Sequence, residues 1–228
     1  SRMVDSGLAN QSWKDSGDSQ RFQDGSFAES PIAAVEVQGY VYDAKRSLAE
    51  VAREVWRDKG LAERLEREAD ELRARFDEAF WVEERGGFYA LALDGQKRPV
   101  DARSSNMGHL LWSGIVPPER VSTVADQLLS EELWSGWGIR TMASDAAAFN
   151  PISYHDGTVW PHDTSLAAWG LARHGYTAEV RRIARELIEA LRLHALQRAG
   201  RDGGVELRAA HPRRHRRVGR EHAGRPRD

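Results

Sequence analysis

The chain has 228 residues, 40% of them hydrophobic and 30% charged, with a formal net charge of −2 and no cysteine. That is enough chain for a sizeable core. It excludes a disulfide scaffold and thiolate metal sites, fits a reducing cytoplasmic setting, and offers no apolar run of the ~18–20 residues that cross a bilayer.

From residue 1 to 25 the sequence is polar and rich in Gly, Ser and Asp, which reads as loop. Ser30-Pro31 reads as a helix start, with Ser as N-cap and Pro at the first helical position. Ile32, Val35, Gly39, Tyr42, Leu48, Val51, Val55 and Trp56 recur at helical spacing, up to a stop at Lys59-Gly60. A second helix is predicted from Leu61 to Trp81, with Leu61, Leu65, Leu72, Phe76 and Phe80 as its apolar stripe. Residues 86–95 break the helical period. Their short apolar alternation ends in Asp94-Gly95, a hairpin-like β excursion.

Ser104-Ser105-Asn106 opens a short helix through Trp112, and Pro117-Pro118 restarts another through Leu129. Residues 134–161 form a long loop rich in Gly, Trp, His and Asp. Two further amphipathic helices, His162 to His174 and Thr177 to His194, are split at Gly175. The pattern is helix, short turn, helix, decorated loop, repeated about three times. It predicts an all-α fold of αα-hairpins, half of the six that close an (α/α)6 toroid. Residues 1–194 then read as part of a larger helical domain and 195–228 as a basic tail.

Three loop segments carry chemistry. Trp13-Lys14-Asp15-Ser16-Gly17-Asp18, followed by Arg21, sets two carboxylates three residues apart beside an aromatic ring and two cations. A glycosidase needs one carboxylic acid to protonate the leaving oxygen, and neighbours that shift its pKa. The same residues also read as an ordinary turn or helix cap. Tyr154-His155-Asp156-Gly157-Thr158-Val159-Trp160-Pro161-His162-Asp163 holds two His-Asp dyads, which serve a sugar pocket or, folded back, a metal. Pro161 suits a first helical turn, where Asp163 is also favoured by the helix dipole. Trp137 and Arg140 lie in a glycine-spaced segment that reads equally as a tight turn or a pocket loop.

The segments GLANQSWKDSGDS (7–19), NMGHLLWSGI (106–115), GWGIRTMAS (136–144) and NPISYHDGTVWPHDTSLAAWGLARHG (150–175) stand in this order and spacing. Together they resemble the bacterial glycogen-debranching (amylo-α-1,6-glucosidase) family, whose catalytic domain is an (α/α)6 barrel akin to glycoside hydrolase families 15 and 63. The resemblance implies a parent enzyme that cleaves α-glucosidic bonds by acid–base inversion, without cofactor or catalytic metal. Its partner is an α-glucan or oligosaccharide, with no nucleic acid and no membrane. It implies Asp18, five residues after Trp13, as general acid, with Asp15 as the alternative. Trp13, Lys14, Arg21, Tyr154, His155, Asp156, Trp160, His162 and Asp163 then line the sugar pocket, and Trp137 and Arg140 belong to another pocket loop.

Inversion needs a second carboxylate, which in that family comes late in the barrel on a Leu-Pro-Glu-type segment. That segment is missing. From Gln197 the helical period is lost, and residues 195–228 hold ten Arg against four acidic residues. No aromatic residue interleaves them to stack on bases. The tail has the composition of a GC-rich gene read out of frame. Glu206 lacks the surrounding pattern of the base, so the fragment itself is expected to be inactive. The competing readings are a metal-dependent phosphohydrolase built on the His-Asp dyads, and an inactive sugar-binding remnant.

Overall fold

The computed structural model describes residues 12–203. The loop reading of residues 1–11, most of the tail and Glu206 lie outside that range. Two compact units are separated, Ser1–Ala190 and Leu191–Asp228. Every described candidate site residue belongs to the first.

The protein is mostly helical, with two very small sheets. A strand β1 (Ala33–Ala34) leads straight into α1 (Val35–Glu54), and α2 (Lys59–Phe80) packs back along it as a helical hairpin. Residue Asp58 caps α2 by accepting the Leu61 amide at 2.9 Å. The expected boundaries need two corrections. Helix α1 begins at Val35 and not at Pro31, because Ala33 and Ala34 pair with Leu93 and Ala92, and this long-range ladder overrides the local capping signal. Gly60 opens α2 and does not close α1; the turn between them is made by Arg57, at φ 56°.

The buried face of α1 also differs from the one expected. Val35, Gly39 and Tyr42 are buried, but further along the inward residues are Ala49 and Ala52. Leu48, Val51, Val55 and Trp56 are exposed. With Val37 and Val41, the three aliphatic residues form one apolar stripe along the outside of α1.

Strand β2 (Trp81–Val82) pairs antiparallel with β3 (Phe88–Tyr89); β4 (Ala92–Leu93) lies between β1 and β5 (Pro99–Val100). The β excursion is therefore split between two sheets. Its Asp-Gly turn joins β4 to β5, where Asp94 accepts from the amides of Gln96 and Arg98 at 2.9 and 2.8 Å.

The remaining helices are α3 (Asn106–Ser113), α4 (Val121–Leu128), α5 (Pro161–Arg173) and α6 (Thr177–Gly203). Helix α6 runs nine residues past the expected end at His194, since Leu, Ala, Gln and Arg there are good helix formers despite the lost amphipathic period. The odd-numbered helices form a layer, α3 packing on both α1 and α5, while α2 packs on α1 and α4 on α3. Between them lies one apolar core that includes Tyr42, Phe76, Phe80, Tyr89, Leu110, Leu111, Leu128, Ile139 and Leu171.

Helices α3 and α5 approach unusually closely. A Cβ added at Gly108 would lie 2.4 Å from the Ala167 Cβ, and one at Gly170 would lie 2.6 Å from the Trp112 amide nitrogen. Among the described residues no helix is long and apolar enough to cross a membrane.

Candidate active site

The opening turns of α1, α3 and α5 meet, and each brings a buried polar side chain. Glu36 of α1 accepts from Asn106 Nδ2 of α3 at 2.8 Å, and His109 Nε2 of α3 lies 2.8 Å from Asp163 Oδ1 of α5. The positive ends of the helix dipoles favour carboxylates there. Tyr40, one turn after Glu36, places its hydroxyl 2.5 Å from His109 Nδ1. Both contacts are satisfied when Nε2 donates to Asp163 and the Tyr40 hydroxyl donates to Nδ1. Burial, then the charges of Glu36 and Asp163, push the Tyr40 phenol well above its usual range.

The 12–21 loop hangs over this floor. Trp13 stacks on His109, with centroids 5.6 Å apart and planes at 17°. It meets His155, Trp160 and His162 edge-on at 5.3, 6.0 and 5.9 Å. Lys14 is fully buried, its Nζ donating to the Thr141 carbonyl and lying 5.6 Å from the Trp13 ring centroid. Ser19 Oγ pins the loop by donating to the Lys14 carbonyl at 2.6 Å. Asp18 is half-buried and Asp15 exposed, so both carboxylates reach solvent at the mouth. Arg21 Nε donates to the Asp18 carbonyl at 3.0 Å and lies 3.9 Å from Asp156 Oδ2.

The 150–160 loop closes the other side. The Asp156 amide donates to Ser153 Oγ at 2.7 Å, and the Gly157 amide to Thr141 Oγ1 at 2.9 Å. His155 Nδ1 sits 2.9 Å from Ser16 Oγ, which joins the two loops. The Trp160 indole donates to the Tyr154 carbonyl at 2.8 Å, its ring parallel to that of His155. Pro161 occupies the first turn of α5, as its sequence position indicates.

One buried cation faces three carboxylates. Burial lowers the Lys14 pKa to about 8, although Asp163, Glu36 and Asp156 all favour its charged form. Burial and the neighbouring Asp18 push the Asp156 carboxyl up to about 6, against the pull of Lys14 and Arg21. Burial, reinforced by Lys14, holds His155 below its ordinary value. Trp13 Nε1, Glu36 Oε1, Asp156 Oδ1 and Asp163 Oδ2 are buried with no hydrogen-bond partner among the described residues. Each such atom costs ~1–3 kcal/mol, so four in one place mark a site and not a core.

The structure thus brings together Trp13, Asp15, Asp18, Arg21, Tyr154, His155, Asp156, Trp160, His162 and Asp163. Lys14 belongs to the same cluster from below, as a charge within the floor. Trp137 and Arg140 are placed differently. Trp137 lies in a tight turn where its amide donates to Ser135 Oγ at 3.1 Å, and Arg140 Nη1 donates to the carbonyls of Glu131 and Glu132. Sequence reasoning missed Tyr40, Glu36, Asn106 and His109. The signal was available: each is a polar residue on an otherwise apolar helical stretch.

Within the two His-Asp dyads, Asp163 Oδ1 pairs with His109 and His155 Nδ1 with Ser16. Among the described residues no three His, Asp or Glu side chains form a metal-ligand set.

A helical double layer whose inner helices and the loops over their opening turns gather carboxylates and flat aromatic rings in one place is the design of a six-hairpin glycosidase. The chain belongs to the mannosylglycerate hydrolase MGH1-like glycoside hydrolase domain family, which it matches over residues 2–201. No curated protein matches the sequence.

Among solved structures, the glycoside hydrolase family 63 mannosylglycerate hydrolase of Thermus thermophilus, in complex with glucose, is 21% identical with a TM-score of 0.59, over 68% of this chain and 38% of that one. The neutral trehalase of Saccharomyces cerevisiae is 18% identical with a TM-score of 0.63, over 85% of this chain and 36% of that one. At such identities the likeness concerns the fold. The chain spans under two fifths of the length of either protein.

Proposed function

We propose that this chain supplies the acid side of the active site of an inverting α-glucosidase of the amylo-α-1,6-glucosidase type, acting in the cytoplasm on glycogen-like or related oligosaccharides. Asp18 is the general acid and Asp15 the alternative; no cofactor takes part. The observation that carries this reading is the Trp13–Asp18 loop itself. It presents a solvent-reaching carboxylate beside a partly exposed indole, directly above a floor of unpaired acceptors suited to sugar hydroxyls. Asp156 is a second candidate for the proton donor, because its carboxyl holds a proton up to about pH 6.

The base comes from residues outside this chain, and the 228-residue protein alone has little hydrolase activity. Two observations support this: the chain covers 38% of the family 63 relative, and the apolar stripe on α1 suits a further helix of the toroid. The test is release of glucose from glycogen and linear α-glucans, by this chain and by one whose tail is restored to the alternative reading frame. In the restored enzyme, Asp18→Asn lowers kcat by about 10³-fold or more, near 4 kcal/mol. An Asp18→Asn enzyme with near wild-type turnover, beside a dead Asp156→Asn enzyme, moves the acid to Asp156.

A further inference from the structure

Helix α3 opens in the floor of the candidate active site, with Asn106 and His109, and closes at Gly114. Gly114 lines a cavity of about 400 Å³ that shares no lining residue with the Trp13 cluster. Its walls come from α2, the connection between α3 and α4, the first turn of α4 and the turn between α5 and α6. The volume is within the ~300–1,000 Å³ typical of small-molecule sites.

Two basic side chains, Arg73 and His174, line this cavity, and no carboxylate does. Burial holds His174 below its ordinary value, so the permanent charge is that of Arg73. The basic residues of α1 are committed to carboxylates of α2: Lys45 to Glu68, Arg46 to Asp70 at 3.5 Å, and Arg53 to Glu66 at 2.7 Å. Arg73 differs from them. Among the described residues it makes no ion pair; its guanidinium lies over the Tyr42 ring, 4.6 Å from the centroid.

Arg73 Nη2 donates to the Gly114 carbonyl at 3.2 Å, a favourable place for a cation at the end of α3. That bond occupies one of five N–H donors. Nε is buried with no partner among the described residues, and Glu119 favours the charge without pairing with it. A guanidinium drawn out of water and short of acceptors costs free energy, which an oxyanion in the cavity offsets.

The rest of the lining says which oxyanion. The hydroxyls of Ser122 and Tyr176 join Arg73 and His174 around the cavity. Burial keeps the Tyr176 phenol above its usual value, so it remains a donor. Donors carried by four residues on separate elements suit a tetrahedral head with several acceptor oxygens better than a planar carboxylate. Val116, Pro118 and Val121 supply an apolar wall beside them.

We propose that this cavity is a second binding site, separate from the sugar cluster, for a small phosphate monoester, its phosphate on Arg73 and Ser122 and its apolar body against Val116, Pro118 and Val121. The proposal is independent of the glycosidase reading. The test is calorimetric titration of the full 228-residue chain with inorganic phosphate, phenyl phosphate, benzoate and benzyl alcohol.

Phenyl phosphate is expected to bind about tenfold more tightly than each of the other three. Arg73→Gln weakens it by about tenfold or more. Ser122→Asp, which sets a carboxylate beside the head, does the same. Ser122 is exposed in the first turn of α4, where an acid is well tolerated, so this variant decides the matter even if Arg73→Gln does not fold. Parent-like affinity in Ser122→Asp or in folded Arg73→Gln overturns the site, as does a parent chain that does not bind phenyl phosphate. Benzyl alcohol or benzoate binding as tightly as phenyl phosphate overturns the phosphate head, and inorganic phosphate binding as tightly overturns the apolar body.

Discussion

Replacing Lys14 by Met sets two opposed effects against each other. Lys14 is fully buried and faces Glu36, Asp156 and Asp163, whose charges favour its protonated form. If those attractions dominate, the lysine holds the floor together, and its loss costs the ~3–5 kcal/mol of breaking a buried ion pair. Its pKa points the other way. A fall from 10.5 to about 8 means that desolvation outweighs the three carboxylates, by about 3–4 kcal/mol.

Met fills similar volume without charge, and it forfeits the hydrogen bond to the Thr141 carbonyl, worth ~1.5–3 kcal/mol for a charged donor. The net expectation is that Lys14→Met is as stable as the parent at pH 7, or up to about 1–2 kcal/mol more stable. A base whose folded pKa is depressed contributes stability that is fully present above its unfolded pKa and is lost as pH falls through the folded one. The parent chain therefore regains stability between pH 8 and 10.5, and the variant's relative standing declines over that window. Urea denaturation at pH 7 and pH 10, followed by tryptophan fluorescence, measures both. A variant less stable by 3 kcal/mol at pH 7, with a gap that does not change by pH 10, refutes the reasoning and makes Lys14 a net stabiliser.

Other expectations follow from the same geometry. Asp156→Asn equals the parent in stability at pH 4 and exceeds it by about 2 kcal/mol at pH 8. The reason is that a carboxyl raised from 3.8 to about 6 contributes stability below the lower value and loses it as pH rises through the upper one; thermal melts at both pH values check it. Gly108→Ala destabilises by about 1–3 kcal/mol in denaturant, because the clash with Ala167 Cα and Cβ outweighs the gain in helix propensity. Tyr40→Phe leaves His109 Nδ1 without its partner and costs about 1–2 kcal/mol. Its glucose affinity, read by calorimetry, falls as His109 and Asp163 lose their fixed orientation.

Local pattern was enough to place the helices. Hydrophobic periodicity located α2 to α5 to within a few residues but missed both ends of α1 and the last nine residues of α6, and Pro161 and Gly175 marked the ends around α5, because these signals act through the chain's own backbone. The loops holding Trp13, Asp18, His155, Asp156 and Trp160 were legible for a different reason: clustered Trp, Asp and His in Gly-rich segments are too polar to be core and too aromatic to be linker.

Whatever depends on a partner distant in sequence was decided by packing. Ala33 and Ala34 read as helix until Leu93 and Ala92 supply a ladder, and Leu48 and Val51 read as core until the alanines on the opposite face of α1 are seen to be the buried ones. The floor of the site has the same origin. Glu36 and Tyr40 on α1 and His109 on α3 give no sign of one another in their own segments, and Asp163 at the start of α5 reads there only as half of a dyad or a dipole-favoured carboxylate. Only when the opening turns of α1, α3 and α5 meet does each become another's partner, and only their shared burial beside Lys14 turns four ordinary side chains into one electrostatic unit.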